Sequence, residues 1–297
     1  MKRIALKIDV DTCRGTLFGV PTLIELLQRH EASGTFFFSL GPDTSGREAR
    51  HLSPSRYYDL LTRLYGLFLP APDIGIRGAG CMRQARDAGL EVGIHAWNRV
   101  RWEKFVPTAD NAWIEAEMEQ ASRRFAAVLG AQAQAHAAPG WRMNRHALRL
   151  TQRLGFCYAS DCRGNFPFIP VVDGELVHCP QVPTTLPTLD ELLVSETTSA
   201  AQAAERILAE SASIDGDHVF TLRAELEGMK YKGAFEELLV GWMSRGYRLV
   251  ALRDLLTSQN IATLPRHTVV FAEVPGRFGQ RMTQGPAFLD TCYEQRC

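Results

Sequence analysis

The chain has 297 residues, 33 Lys+Arg against 33 Asp+Glu, 45% apolar residues and 22% charged ones. That composition describes a folded α/β or mixed protein of ordinary stability and excludes a disordered or fibrous chain. A sequence pI of about 7.1 gives no basic face of the kind a nucleic-acid binder carries.

Residues 3–10 read as a first strand that ends in Asp9-Val10-Asp11. The apolar run before Asp9 is too short for a signal peptide. No stretch approaches the roughly 20 apolar residues of a spanning helix. Pro21, Leu23, Ile24, Leu26 and Leu27 then predict a helix ending near His30. Phe36-Phe37-Phe38 is an apolar run without alternation, the signature of a parallel strand covered on both faces. Residues 43–79 are irregular, with a helix expected around 55–68. Its broad apolar face of Tyr57, Leu60, Leu61, Leu64, Tyr65, Phe68 and Leu69 suits either the core or a lipid-contacting surface.

A helix near 80–88 leads to the strand Leu90–Ile94 with His95 at its end, and a long helix is expected at 110–129. Ala138-Pro139-Gly140-Trp141-Arg142 is a rigid turn, and Asn144 is placed to cap a helix running to Arg153. Phe156–Ala159 reads as a strand, and Ile169–His178 as a hairpin around Asp173-Gly174. Then come a helix at 199–213, a strand at 217–222, a helix at 231–245 and a last strand at 247–250. Repeated alternation predicts a parallel α/β architecture, either a barrel or an open sheet. The stretch 262–297 shows no strong period. The expected division is a barrel over 1–260 with an irregular insertion at about 43–79, and a C-terminal extension over 261–297.

Chemically useful residues gather at strand ends. Asp9 and Asp11, two apart, project to one side. They are either a base with a cation-binding partner or loop acids capping the turn beyond. His95 is either a pocket residue or a buried histidine bonded to backbone. Trp141-Arg142, Asp161-Cys162-Arg163, and Arg223 with Glu225 occupy three more strand ends. In a barrel such ends build the active site. Arginine forks suit phosphate, although each of these could equally be an ordinary ion-paired residue. The seven cysteines form no CxxC pair, and in a chain this long they read as reduced thiols. Cys162 lacks any recognisable histidine partner for nucleophilic work. No GxSxG, HExxH, GxGxxG or Walker sequence occurs in a suitable context.

Taken together, Ile8–Thr12 with Arg14-Gly15-Thr16, Phe37-Phe38-Ser39, Glu91-Val92-Gly93 with His95-Ala96-Trp97, Ala138–Arg142, Ser160–Gly164, Gln181–Thr188 and Ala224–Gly228 resemble the polysaccharide-deacetylase, or NodB-like, family. The resemblance covers residues 3–260 in order. It is nearest to the branch that deformylates 4-deoxy-4-formamido-arabinose carried on undecaprenyl phosphate. It implies a distorted (β/α) barrel and an amide hydrolase that removes an N-formyl or N-acetyl group from a lipid-phosphate-linked amino sugar, in lipid A modification and polymyxin resistance. It implies a divalent metal such as Zn²⁺ on Asp11 and His95. Asp9 would be the base, held in the region of Arg142, and the late-strand position of Arg223 would carry the acid. Arg14, Trp97, Trp141, Asp161, Arg163 and Glu225 would line the substrate site. A cytoplasmic location at the inner-membrane face follows, with peripheral contact through 43–79 and no nucleic-acid partner.

Two positions depart from the family motif. Arg99 stands where the second metal-binding histidine is expected, and Arg223 replaces the late-strand histidine. A protonated guanidinium neither ligates a metal nor donates a proton readily at neutral pH. Two ligands make a weak metal site. The alternatives are an amidohydrolase in which Arg99 and Arg223 supply the metal's charge, with His218 as a distant candidate acid, and a catalytically silent member that binds the lipid or regulates an active partner.

Overall fold

Strand β1, Arg3–Val10, is buried along almost its whole length, and its alternation explains how it is used. Ile4, Leu6, Ile8 and Val10 pack outward with Leu23, Ile24 and Leu27 of the helix Val20–Arg29. Ala5 points the other way, into an apolar cluster with Phe37, Ala135, Val219 and Val250. Lys7 and Asp9 follow Ala5 on that inward face.

The computed structural model describes residues 2–47, 57–194, 197–257 and 259–289. In chain order the further strands are β2 (Thr35–Ser39), β3 (Glu91–Ala96), β4 (Ala135–His136), β5 (Tyr158–Ala159), β6 (Ile169–Val172), β7 (Glu175–Leu176), β8 (His218–Arg223), β9 (Arg248–Val250), β10 (Arg266–Glu273) and β11 (Gln280–Ala287). The principal sheet is parallel, ordered β5-β4-β3-β2-β1-β8, with β9 pairing the start of β1. Between its outer strands runs the segment 180–186. Val182 N–H donates to Ala159 O at 2.8 Å on one side, and Thr185 N–H to Val219 O at 3.1 Å on the other. An irregular strand therefore completes the curl, and the sheet is a distorted barrel with helices outside.

Glycine makes one crossing possible. A Cβ on Gly93 would lie 2.7 Å from the Phe37 ring and from Ala135 O, so only a bare backbone fits where Phe37 fills the barrel. Immediately beyond, the β2–β3 ladder slips. Phe38 pairs with Ile94 but Ser39 pairs with Ala96, leaving His95 as the extra residue of a bulge.

The helices Ala79–Asp87, Asn111–Leu129, Arg145–Arg153, Ala200–Ser213 and Lys232–Ser244 lie close to where periodicity puts them. Asn144 caps as expected, accepting from Ala147 N–H at 2.9 Å. One expectation fails. The helix around 55–68 is absent over its described part, 57–68, which holds only the short 3₁₀ turn Thr62–Leu64; 55 and 56 lie outside the described residues. In the C-terminal stretch, where no period was visible, β10 and β11 form an antiparallel hairpin that joins β6 and β7 in a second sheet, ordered β11-β10-β6-β7. A short helix, Arg99–Phe105, capped by Asn98, was not foreseen either.

Candidate active site

The carboxyl ends of β1, β3 and β8 converge. Asp9, Asp11, His95, Arg99 and Arg223 are each no more than 3% exposed. Parallel pairing sets the positions, since Asp9 is level with both Phe37 and Arg223. The bulge turns His95 toward the aspartates. Its Nδ1 is 2.7 Å from Ala137 O, which makes that nitrogen a donor. Its Nε2 is 3.0 Å from Asp11 Oδ1, and Asp9 Oδ1 is 3.8 Å from Nδ1.

Each aspartate has its own cation. Lys7 Nζ lies 3.1 Å from Asp9 Oδ1, fully buried, 5.5 Å from the Trp141 ring centre. Burial pulls the Lys7 ammonium below its ordinary pKa, although Asp9 works against that. Asp11 Oδ2 accepts from Arg223 Nη1, and Arg99 Nε stands 3.8 Å from Oδ1. Burial alone would raise Asp11, but Arg223, Arg99 and His95 outweigh it and hold its carboxyl well below the usual carboxylate range. Tyr58 covers the pair, its hydroxyl 3.4 Å from Asp11 Oδ2. Arg99 also bonds Glu103 one turn on, at 2.9 Å.

Glu225 braces the loop from below. Its Oε1 accepts from Asp11 N–H, Thr12 N–H and the Thr12 hydroxyl at 2.9, 2.7 and 3.0 Å. A Cβ on Gly15 would collide with this carboxyl. Burial, aided by the Asp11 charge, pushes Glu225 up to about 8, and burial does the same to Glu227.

Behind Arg223 lies a second charge cluster. Arg223 Nε is 3.8 Å from Asp190 Oδ2. Arg277, from the turn between β10 and β11, reaches in to bond Asp190 at 2.7 and 2.9 Å, Glu191 at 2.9 Å and Thr188 at 2.9 Å. Two guanidiniums lie over the Trp141 ring, Arg163 at 5.0 Å and Arg277 at 5.1 Å from its centre.

The other expected site residues divide. Trp141 and Arg163 are in this assembly, with Arg163 3.3 Å from Glu191. Asp161 is a brace, accepting from Ala138 N–H at 2.8 Å and facing His136 Nδ1 at 2.7 Å. Arg14 sits outside with Asp59, on the wall of a cavity of about 220 Å³ that also touches Tyr58 and Glu225. Arg142 does not hold Asp9: it donates to Glu103 O and Phe278 O, because the Pro139–Trp141 turn carries it outward and Lys7 takes its place. Trp97 packs on Gly41 and beneath Arg124, the bulge at His95 having broken the alternation that would bring it inward. His218 begins β8 while Arg223 ends it, so roughly 16 Å of strand separates the two. Lys7, Tyr58, Glu103, Asp190, Glu191 and Arg277 escaped the sequence reading. Alternation in β1 was a usable signal for Lys7; nothing local marks Arg277.

Residues 2–159 match the sequence profile described as polysaccharide deacetylase. The chain belongs to the polysaccharide deacetylase family. It is 35% identical over 291 residues to a Shewanella sediminis protein named "Probable 4-deoxy-4-formamido-L-arabinose-phosphoundecaprenol deformylase", covering 93% of each chain. A Wigglesworthia glossinidia brevipalpis protein of the same name is 31% identical, covering 89% of this chain and 96% of the relative. In fold it is similar to a polysaccharide deacetylase structure from Mycobacterium smegmatis, with a TM-score of 0.65, 18% identity, and 92% and 96% of the two chains covered. It is also similar to a carbohydrate esterase family 4 pseudoenzyme from Bacillus anthracis, at 0.53 and 13%, covering 86% of this chain and 65% of that one. By this relationship the chain is a hydrolase of the N-formyl/N-acetyl amide class.

Metal dependence is general in this family, but the residues here do not fit a divalent ion. Among the described residues no group of three or more His, Cys, Asp or Glu side chains is arranged to hold one. Asp11 and His95 would be two ligands of the usual set, and a guanidinium stands on each side of Asp11. A dication placed there would meet two fixed positive charges. Among the described residues no helix is long and apolar enough to cross a membrane.

Proposed function

We propose that this protein removes an N-formyl or N-acetyl group from an amino sugar carried on undecaprenyl phosphate, at the cytoplasmic face of the inner membrane, without a metal. The relatives' names support the substrate class. The observation that carries the metal-free part is the Arg223–Asp11–Arg99 arrangement, which puts fixed positive charge where the family places its ion. Asp9 takes the proton of the attacking water, with the Lys7 ammonium 3.1 Å from its Oδ1. As the amide carbon becomes tetrahedral, its oxygen gains negative charge, which the arginines stabilise from preorganised positions. The C–N bond then breaks, and the proton collected by Asp9 passes to the departing amine. Lys7, with its lowered pKa, relays that proton more readily than an exposed lysine would.

The experiment is amine release from undecaprenyl-phosphate-linked formamido- and acetamido-sugars by protein dialysed against a chelator. Turnover that persists without metal supports the reading. Activity that appears only on adding Zn²⁺ overturns its metal-free part. Binding of the lipid-linked sugar without amine release in either condition makes the chain a silent binder.

A further inference from the structure

The segment over the site exposes an unusual amount of hydrocarbon. Leu60, Leu61, Leu67, Phe68, Leu69 and Ile76 are all exposed, Phe68 at 77%, Ile76 at 68% and Leu60 at 65%. Phe18 adds to it from the neighbouring turn, under Arg14, which is itself tied to Asp59. Single exposed leucines need no explanation, but six large apolar side chains exposed within residues 60–76 do.

The backbone at the tip is already satisfied from within. Gly66 N–H bonds Leu69 O at 2.8 Å, and the N–H groups of Leu67, Phe68 and Leu69 all turn back on Leu64 O at 3.2, 3.0 and 3.0 Å. A loop that bonds its own donors can leave water without stranding polar groups, which is the condition for entering an apolar medium. Among the described residues of the segment the charges have one sign to spare. Asp59 is held by Arg14 and Asp73 by Arg124, whereas Arg63 and Arg77 are exposed and make no ion pair with a described residue. Beneath this segment the cavity of about 220 Å³ is lined by Arg14, Tyr58, Asp59, Glu225 and Lys230, and Tyr58 separates it from Asp11.

We propose that residues 57–76 dock on the anionic surface of a lipid bilayer, with Leu67 and Phe68 entering the acyl boundary, Arg63 and Arg77 on headgroup phosphates, and the cavity mouth turned toward the membrane. A protein partner would need matching acids as well as an apolar groove; a bilayer of anionic lipid supplies both at once. The docking rests on the membrane location proposed above, and its failure would leave the amine-release assay of the hydrolysis unaffected.

The test is co-flotation of the full chain with vesicles of equimolar phosphatidylethanolamine and phosphatidylglycerol, and with phosphatidylcholine alone. The wild type is expected to float with the anionic vesicles. Leu67→Asp with Phe68→Asp should weaken vesicle affinity by roughly 100-fold or more, since two large apolar side chains no longer leave water. Arg63→Glu with Arg77→Glu should abolish the preference for anionic lipid. The melting temperature of each variant shows that the fold is kept, because none of the four side chains is in the core. Wild type that stays in the aqueous fraction with both vesicles, or a Leu67/Phe68 variant that floats as well as wild type, overturns the proposal. So does concentration-dependent dimerisation of the wild type that the same two substitutions abolish, which would make the patch a contact between copies.

Discussion

Arg223→Met is the sharpest test of how the site is held together. The methionine fills much of the volume of the arginine stem but removes the guanidinium from Asp11 Oδ2 and from the vicinity of Asp190. Asp11 then keeps Arg99, at 3.8 Å, His95, at 3.0 Å, and the Tyr58 hydroxyl, at 3.4 Å, with its side chain fully buried. Breaking a buried ion pair from one side costs about 3–5 kcal/mol, because the remaining charge has no compensation. In a chain of this size that lowers the melting temperature by roughly 6–15 °C at neutral pH. The sign with pH is fixed by Asp11. Its folded pKa lies below the unfolded value, so its contribution is present above about 4 and is lost as pH falls. The deficit of the variant should therefore shrink toward low pH. Adding Asp11→Asn to the methionine variant should recover part of the loss, since the orphaned charge goes with it. Urea unfolding of the two single variants and the double, at neutral pH and in acid, gives the complete cycle. A cost below about 1 kcal/mol at neutral pH, or no recovery in the double variant, would refute the ion-pair account.

Glu225 and Glu227 predict the opposite slope. Both are raised to about 8, so between roughly 4.5 and 8 the folded chain holds protons that the unfolded chain has released, and stability falls as pH rises through that window. Glu225→Gln keeps the oxygen that accepts from Asp11 and Thr12, so the urea midpoint should flatten with pH rather than drop; an unchanged slope would place the protonation elsewhere. Replacing Arg99 and Arg223 together by histidine should create a Zn²⁺ site on Asp11 and His95, read by titration calorimetry. Absence of binding in that variant, or tight binding in the wild type, would show that the arginines are not what excludes the ion.

Much of this was legible in the residues. Non-alternating Phe36–Phe38 gave a buried parallel strand, and Asp9, Asp11, His95 and Arg223 were all placed at strand ends that do meet. What was not legible depended on events no local pattern records. A one-residue slip in a ladder decides that His95 points in and Trp97 does not. The apolar spacing at 57–69 matched a helix face, yet those side chains belong to turns, because periodicity reports only which residues are apolar and not which of them are covered. Lys7 was hidden by convention: a lysine in a strand is ordinarily taken as solvent-facing, but both faces of β1 are inside. Arg277 could not have been foreseen, as it meets Asp190 across 87 residues of sequence through a hairpin with no strong period.

That last contact also sets an order of events during synthesis. Asp190 and Glu191 leave the ribosome long before Arg277, the cation that buries with them. Until the hairpin is made, these two acids have Arg223 and Arg163 near them but lack the cation that bonds both, so the wall behind Arg223 is incomplete. The barrel strands can pair early, but the site becomes electrically complete only when the β10–β11 turn that carries Arg277 has been made. Completion of the pocket thus doubles as a report that the β10–β11 hairpin has formed and docked.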